Sequence, residues 1–316
     1  MFLDSLRTKF FPRRPKDVQL LICGIHSRSW REALAPEAQV WNVLRRSREI
    51  QVKSVRDADE LEHGDPRYRT VVLPLMESHT ERCLSLALGR FEMLIPDFTA
   101  LSILRNKRKF AVYARLLGLQ PLCPAWYDSA ETVKFPCVLK RLNLNAGIGI
   151  QLVRSKRELA EILRTDLFVG HPYLLQEFLS STTDFVLHGV CENGRLLWYR
   201  VYHYNLFDGD MIRKGQYSSR HISISSRQLS QLERFLVPLA YSGPCNIDFK
   251  VTADGDIKVM EINPRLGGSL MRPESVTDLG AALNCIVENA RIENRSSLID
   301  PRLIEALSAE NLLTAY

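Results

Sequence analysis

The chain has 316 residues, 46% of them hydrophobic and 25% charged, with a formal net charge of +6. That length suggests about two domains or one multi-lobed unit, and the balance is that of a soluble globular protein with a sizeable core rather than of a disordered or fibrous chain. The modest positive charge suits an enzyme of anionic phosphates as well as a weak nucleic-acid binder and decides neither, while the N-terminal residues, without a long apolar run, do not read as a signal peptide and no uninterrupted apolar stretch is long enough to span a bilayer.

In chain order, a basic leader with Arg7, Lys9, Arg13, Arg14 and Lys16 precedes a first buried strand, Val18 to Cys23. Gly24 and the polar run His26-Ser27-Arg28 end it, and Trp30 to Ala38 reads as a helix. Val71 to Leu75 is a second apolar strand, followed by helical character from Thr80 to Leu88. Strand, polar loop and helix in repetition predict an α/β lobe over about residues 17–98. Loops after such strands often hold ligands. His26, Ser27, Glu77 and His79 lie there, each read singly as a bystander.

Asn106 to Leu117 predicts an amphipathic helix stopped by Gly118, with Pro121 and Pro124 beyond it. Phe135 to Lys140 is a strand ending in lysine, and a loop with Asn143, Asn145, Gly147 and Gly149 leads to a second strand at Gln151. Ser155 and Glu158 have capping-box spacing at the start of a helix. Tyr173 to Leu179 is another strand, and Asp184 to Tyr202 a hairpin around Asn193-Gly194. Gln228 to Leu239 reads as helical, and Ala281 to Leu307 as mostly helical. The seven cysteines show no CxxC pair and sit among apolar neighbours, which suits reduced, packed thiols and a cytoplasmic location.

The segment Asn246 to Arg265 is chemically the most specific. Two alternating runs flank Asp254-Gly255, a two-residue hairpin signal. A two-residue loop would set residue 253 against 256, Asp248 against Glu261 and Asn246 against Asn263. Side chains alternate along a strand. Asp248, Glu261 and Asn263 then share one face, while Ile247, Phe249, Val251, Met260 and Ile262 turn to a core. Like charges directly opposite are destabilising, and a hard divalent cation supplies a reason for them, magnesium above all. The alternative is a solvated face on which Lys250 neutralises Glu261. Asn263-Pro264-Arg265 then leaves the strand and places an arginine beside these oxygens, ahead of Gly267-Gly268-Ser269. A guanidinium donates paired hydrogen bonds to phosphate, so the segment reads as a phosphoryl-transfer site. Arg272 follows, as a carboxylate reader or a surface residue.

Asp248…Met260-Glu261-Ile262-Asn263-Pro264-Arg265 resembles the metal-binding signature of the ATP-grasp superfamily. Asn106-Lys107…Gly118-Leu119-Gln120-Pro121, Phe135-Pro136-Cys137-Val138-Leu139-Lys140 and Gln176-Glu177-Phe178-Leu179 resemble further family segments in the family's order, over about residues 100–290. The resemblance implies a Rossmann-like N-terminal lobe (1–98), a linker helix and small lid lobe (99–175) and a C-terminal antiparallel-sheet lobe (176–316), with ATP between the last two. It implies nucleotide contacts from Lys107, Lys140, Asn145, Gly147, Gln176, Glu177, Phe178, Leu179, Asp184 and Lys214. Asp248, Glu261 and Asn263 would hold Mg2+ or Mn2+, and Arg265 with Lys140 would act in catalysis. Departures are Asn106 for the usual Asp, a phosphate loop without serine, and Asp184 for the usual Glu on ribose. The implied activity is ligation of a carboxylate, activated as an acyl phosphate, to an amine, with amino acids or small peptides as substrates. A kinase-like or carbamoyl-phosphate-type reaction and a non-catalytic ATP sensor are the competing readings. The resemblance calls for no nucleic acid or membrane partner and is compatible with a homodimer.

Overall fold

The structure is a computed structural model that describes residues 17–62, 67–87, 89–142, 148–206, 219–292 and 299–310. In the N-terminal part, β1 (Val18–Cys23) is followed by α1 (Arg28–Ala33), α2 (Asn42–Arg45), β2 (Ile50–Val55), β3 (Arg69–Pro74) and α3 (Glu77–Leu86). These strands form a parallel sheet ordered β2-β1-β3. β1 is apolar along nearly its whole length because it is the middle strand and is buried on both faces. β2 alternates weakly and carries Lys53 and Ser54 at an exposed edge, so its pattern does not stand out in the sequence. The helix expected from Trp30 to Ala38 stops at Ala33.

Next come α4 (Phe98–Leu104) and α5 (Lys107–Leu116). The Asn106 side chain caps α5 by accepting from the N–H groups of Arg108 and Lys109. Gly118, at φ +64°, ends it in the left-handed conformation that glycine adopts without strain. Its apolar face buries Phe110, Tyr113 and Ala114. Removing Phe110 to alanine there costs about 3–5 kcal/mol.

A small antiparallel sheet, ordered β4-β7-β5-β6, contains β4 (Trp126–Tyr127), β5 (Cys137–Arg141), β6 (Ile150–Val153) and β7 (Tyr173–Glu177), with α6 (Lys156–Ile162) against it. Cys137, Leu139, Val153, Leu159, Phe168 and Leu175 give it a core of its own. The boundary expected after residue 175 falls inside β7, whose pairings lie wholly within this small sheet.

The larger antiparallel sheet runs β10-β9-β8-β11-β12, from β8 (Thr183–Glu192), β9 (Arg195–Asn205), β10 (Ser219–Ile222), β11 (Gly243–Val251) and β12 (Ile257–Asn263). α7 (Ser226–Glu233) precedes β11, and α8 (Val276–Asn289) and α9 (Pro301–Ala309) follow β12. Helix therefore begins at Val276, before the expected Ala281, and is broken between α8 and α9. One face of this sheet, through Leu187, Cys191, Ile247, Phe249, Val259 and Ile262, packs on α5 and α7. The other, through Val186, Val190, Tyr202 and Tyr204, shares a core with β1, β3 and α8. The N-terminal lobe is thereby held against the face of the sheet on which Asp248 lies beside Val186. All seven cysteines are free thiols, and six are buried. Among the described residues no helix is long and apolar enough to cross a membrane.

Candidate active site

The β11–β12 hairpin places Asp248 directly opposite Glu261 and Asn246 opposite Asn263, as expected. The route to that register differs from the expected one. The loop has three residues, Ala253-Asp254-Gly255: Thr252 pairs with Asp256, and Gly255 sits at φ +81°. Pairs near the tip are accordingly Val251 with Ile257 and Phe249 with Val259, one residue away from a two-residue-loop register. A β-bulge between Asp248 and Phe249 of β11, with Met260 as the extra residue on β12, shifts the pairing back. Three-residue loops with glycine in the left-handed position are the next most common solution after two-residue turns.

The bulge also corrects the expected fate of Met260. It does not join Ile247, Phe249 and Ile262 in the core but lines a cleft with Glu261 and Asn263. Bulges re-aim side chains in this way. Lys250 does not serve Glu261 either. Its ammonium lies 2.7 Å from Asp184 on β8 and donates to the carbonyl oxygens of Ser181 and Thr183. Asp184 is therefore an ion-pair partner buried in the sheet.

Neighbouring carboxamides support both facing carboxylates. Asn246 Nδ2 donates to Asp248 Oδ2 at 3.2 Å, and Asn263 Nδ2 to Glu261 Oε1 at 3.0 Å. Burial pushes the Glu261 carboxyl up, but Lys107, the Asn263 amide, Lys140 and Arg265 outweigh it and hold the group below the usual range. Burial depresses Lys140, which the charges of Glu261, Asp248 and Asp184 counteract while Lys107 adds to the depression. Lys107, Lys140, Arg265, Asp248 and Glu261 thus belong to one electrostatic group. Among the described residues there is no cluster of three or more His, Cys, Asp or Glu arranged for a metal. The donor set is two carboxylates and a carboxamide. All are hard oxygen donors, which fits magnesium completed by phosphate oxygens better than a self-sufficient protein cage.

Arg265 Nε donates to Glu77 Oε1 at 2.9 Å, and its Nη1 donates to the Leu266 carbonyl. Glu77 opens α3, so the N-terminal lobe contributes directly to the site. Sequence reasoning passed over Glu77 because its partner lies 188 residues away. The Gly267-Gly268-Ser269 turn is anchored by Ser269 Oγ, 2.7 Å from His188 Nε2. A Cβ on Gly267 would lie 2.2 Å from His188 Cε1 and 2.4 Å from Asn246 Oδ1, so this glycine serves close approach.

No family model matches the chain. The multifunctional protein pyr1-3 of Dictyostelium discoideum is 22% identical over 233 residues, a match to 68% of this chain and 10% of that one. A D-alanine–D-alanine ligase of Campylobacter jejuni subsp. doylei is 21% identical over 202 residues, 60% of this chain and 58% of that one. The matched region is thus about a tenth of the first relative and somewhat over half of the second. Among solved structures, D-alanine–D-alanine ligase of Bacillus anthracis complexed with ATP aligns at TM-score 0.60 and 15% identity, over 93% of this chain and 99% of that one. The RimK domain protein ATP-grasp of Sphaerobacter thermophilus aligns at TM-score 0.55 and 13% identity, over 85% and 100%. The chain has the ATP-grasp fold.

Within the ATP-grasp fold, the other expected positions distribute unevenly. Gln176 is buried in β7, opposite Val138 of β5 and Trp126 of β4. Glu177 is engaged twice with Ala125, its N–H donating to the carbonyl and its side chain accepting from the N–H. The chain leaves the ladder at Phe178, so Phe178 and Leu179 lie just past the strand end. Asn145, Gly147 and Lys214 lie outside the described residues.

Proposed function

We propose that the chain is an ATP-dependent ligase of the carboxylate–amine type, using magnesium. The observation that carries this reading is the facing pair Asp248 and Glu261 with Lys107, Lys140 and Arg265 gathered around it. Two facing carboxylates, with Glu261 held below the usual range by the cations around it, suit a site that handles a polyphosphate and a metal together. A solvated sheet face needs no such convergence. The ligase names of the D-alanine–D-alanine relatives support the same reading.

In this reading Asp248, Glu261 and Asn263 hold magnesium, whose chemistry is to neutralise phosphate charge and fix the orientation of the triphosphate. Lys140 and Lys107 balance the negative charge on the nucleotide side. Phe178 and Leu179, past the end of β7, offer backbone groups to adenine. Arg265, with Nε fixed on Glu77 and Nη1 on Leu266, presents the rest of its fork to the transferring phosphoryl group and the acceptor carboxylate. The acid oxygen bonds to the γ-phosphorus as the bond to the β,γ-bridging oxygen breaks, giving an acyl phosphate and ADP. The amine then bonds to the acyl carbon, phosphate leaves, and the amine loses a proton.

The test is release of ADP and phosphate from Mg-ATP with a panel of acids and amines. Wild type is expected to turn over with at least one pair, and Arg265→Ala to lose about 100-fold or more, in line with about 3–4 kcal/mol for one well-placed donor. Nucleotide binding without ADP formation on a broad panel would replace the ligase reading with that of a sensor.

A further inference from the structure

The loop between β1 and α1 brings one imidazole, that of His26, towards the segment that follows β12. Gly24 lets the loop pass close to α3, for a Cβ there would lie 2.1 Å from His79 Nδ1. The half-buried ring of His26 rests on the indole of Trp30, with centroids 4.5 Å apart and planes tilted by 35°. Trp30 is itself fixed in the core that holds Leu266 and Leu270, the residues on either side of the Gly267-Gly268-Ser269 turn. A Cβ on Gly268 would lie 3.9 Å from Trp30 Nε1. His26 therefore sits on a platform that is packed against the turn after Arg265.

The hydrogen bonds of the ring decide which nitrogen carries the proton. The Ser27 backbone N–H donates to His26 Nδ1 at 2.7 Å, and Ser27 Oγ lies 3.1 Å from the same atom. A backbone N–H can only donate, so Nδ1 is an acceptor and the neutral ring holds its proton on Nε2. Burial, the charge of Arg265 and that of His79 lower the basicity of the ring, and Glu77 opposes them. A histidine of this kind is not equipped to take a proton from an amine, because one nitrogen is occupied and the other is already protonated. It is equipped to donate a hydrogen bond. A cation would bind an oxygen that is anionic from the start, whereas a neutral donor favours one whose charge appears only as the reaction proceeds.

We propose that His26, with Nδ1 occupied by Ser27 and the proton on Nε2, is a catalytic hydrogen-bond donor to the acyl oxygen that becomes negative when the amine adds. This rests on the ligase reading. The amine nitrogen gives its pair to the acyl carbon, and the carbonyl pair moves onto the oxygen that Nε2–H meets. That pair returns as the bond from carbon to the phosphate oxygen breaks, and the proton on nitrogen passes to the departing phosphate. No bond to His26 forms or breaks.

The experiment uses the full chain with Mg-ATP, the acids alanine, glutamate and acetate, and hydroxylamine, an amine that is already neutral at pH 7. Exchange of the β,γ-bridging oxygen of labelled ATP reads acyl phosphate formation, and hydroxamate reads attack on it. His26→Ala is expected to leave the exchange unchanged and to lower the kcat for hydroxamate by about 100-fold, with the KM for the acid unaltered. His26→Gln, which keeps a neutral N–H donor, is expected to recover most of that loss, with a pH profile parallel to that of wild type. Three outcomes would overturn the proposal: full hydroxamate formation by His26→Ala, no recovery in His26→Gln, or an acidic limb in the wild-type profile that vanishes in His26→Gln, the mark of a base. Nitrogen NMR of the histidine-labelled chain, with His26 assigned from the glutamine variant, separates this claim from the ligase reading. A ring protonated on Nδ1 at pH 7 overturns the donor assignment whether or not ADP forms. A neutral ring protonated on Nε2, in a chain that forms no ADP and exchanges no oxygen with any acid, removes the ligase reading and the catalytic role but leaves the tautomer assignment standing.

Discussion

Two hairpins in the larger sheet are built from nearly the same parts, and only one of them sets two carboxylates face to face. β8 and β9 turn through Asn193-Gly194, both in the left-handed region at φ +49° and +81°, and carry one bulge near the turn, with Leu197 as the extra residue. β11 and β12 turn through Ala253-Asp254-Gly255 and also carry one bulge, with Met260 as the extra residue. In the first hairpin the bulge turns Leu197 out to 43% exposure. In the second it lies beside the Asp248–Glu261 pair and turns Met260 into the cleft. Turn chemistry closes both hairpins. The position of the bulge decides whether the extra residue is idle surface or part of a site.

This comparison can be broken most directly at Glu261. Glu261→Ala is expected to lower ADP formation by about 100-fold or more, while the circular dichroism spectrum stays that of wild type. A similar loss from a change in β8–β9, such as Leu197→Ala, would contradict the division between the hairpins. The next effect separates the two bulges. Deleting Met260 leaves a regular ladder in which Asp248 still faces Glu261, but it withdraws an apolar side chain from the cleft. Binding of the ATP analogue or of the acid is expected to weaken about tenfold or more, on the order of the 1.5–3 kcal/mol of one buried apolar side chain. Deleting Leu197 should leave both affinities unchanged.

Gly267→Ala tests how closely the segment after β12 lies on β8. The added methyl meets His188 and Asn246, so a loss of about 1–3 kcal/mol in stability is expected. It should be accompanied by a lower kcat, because Asn246 supports Asp248. An unchanged denaturation midpoint would mean that the turn is not held there. The smallest change is Asn193→Ala. It puts alanine in the left-handed region and should lower stability by about 1 kcal/mol, with kcat and KM unaltered.

Much of the fold was legible because it depends on short-range chemistry. The continuous apolar run of β1, the Asn106 cap and Gly118 stop of α5, and the Asn193-Gly194 turn each act within a few residues. β2 and β10 were missed because edge strands face solvent and carry no strong period. In the candidate site, the spacing of Asp248, Glu261, Asn263 and Arg265 brought out the convergence correctly, although the assumed loop was one residue too short. That shorter loop and the missing bulge cancelled at Asp248 and Glu261 but not at Met260, which was assigned to the wrong face.

By itself, then, the sequence determined the local grammar: strands, caps, turns and one acidic hairpin followed by an arginine. Three matters depended on the tertiary structure. Lys250 went to Asp184 because β8 lies beside β11, a pairing no local pattern specifies. Glu77 met Arg265 because the N-terminal lobe shares a core with the face of the sheet that bears the acidic pair. Met260 entered the cleft because a bulge in the middle of a ladder depends on the balance of pairing along both strands. Contacts between distant segments follow from packing the whole chain, and side-chain period along one strand does not encode them.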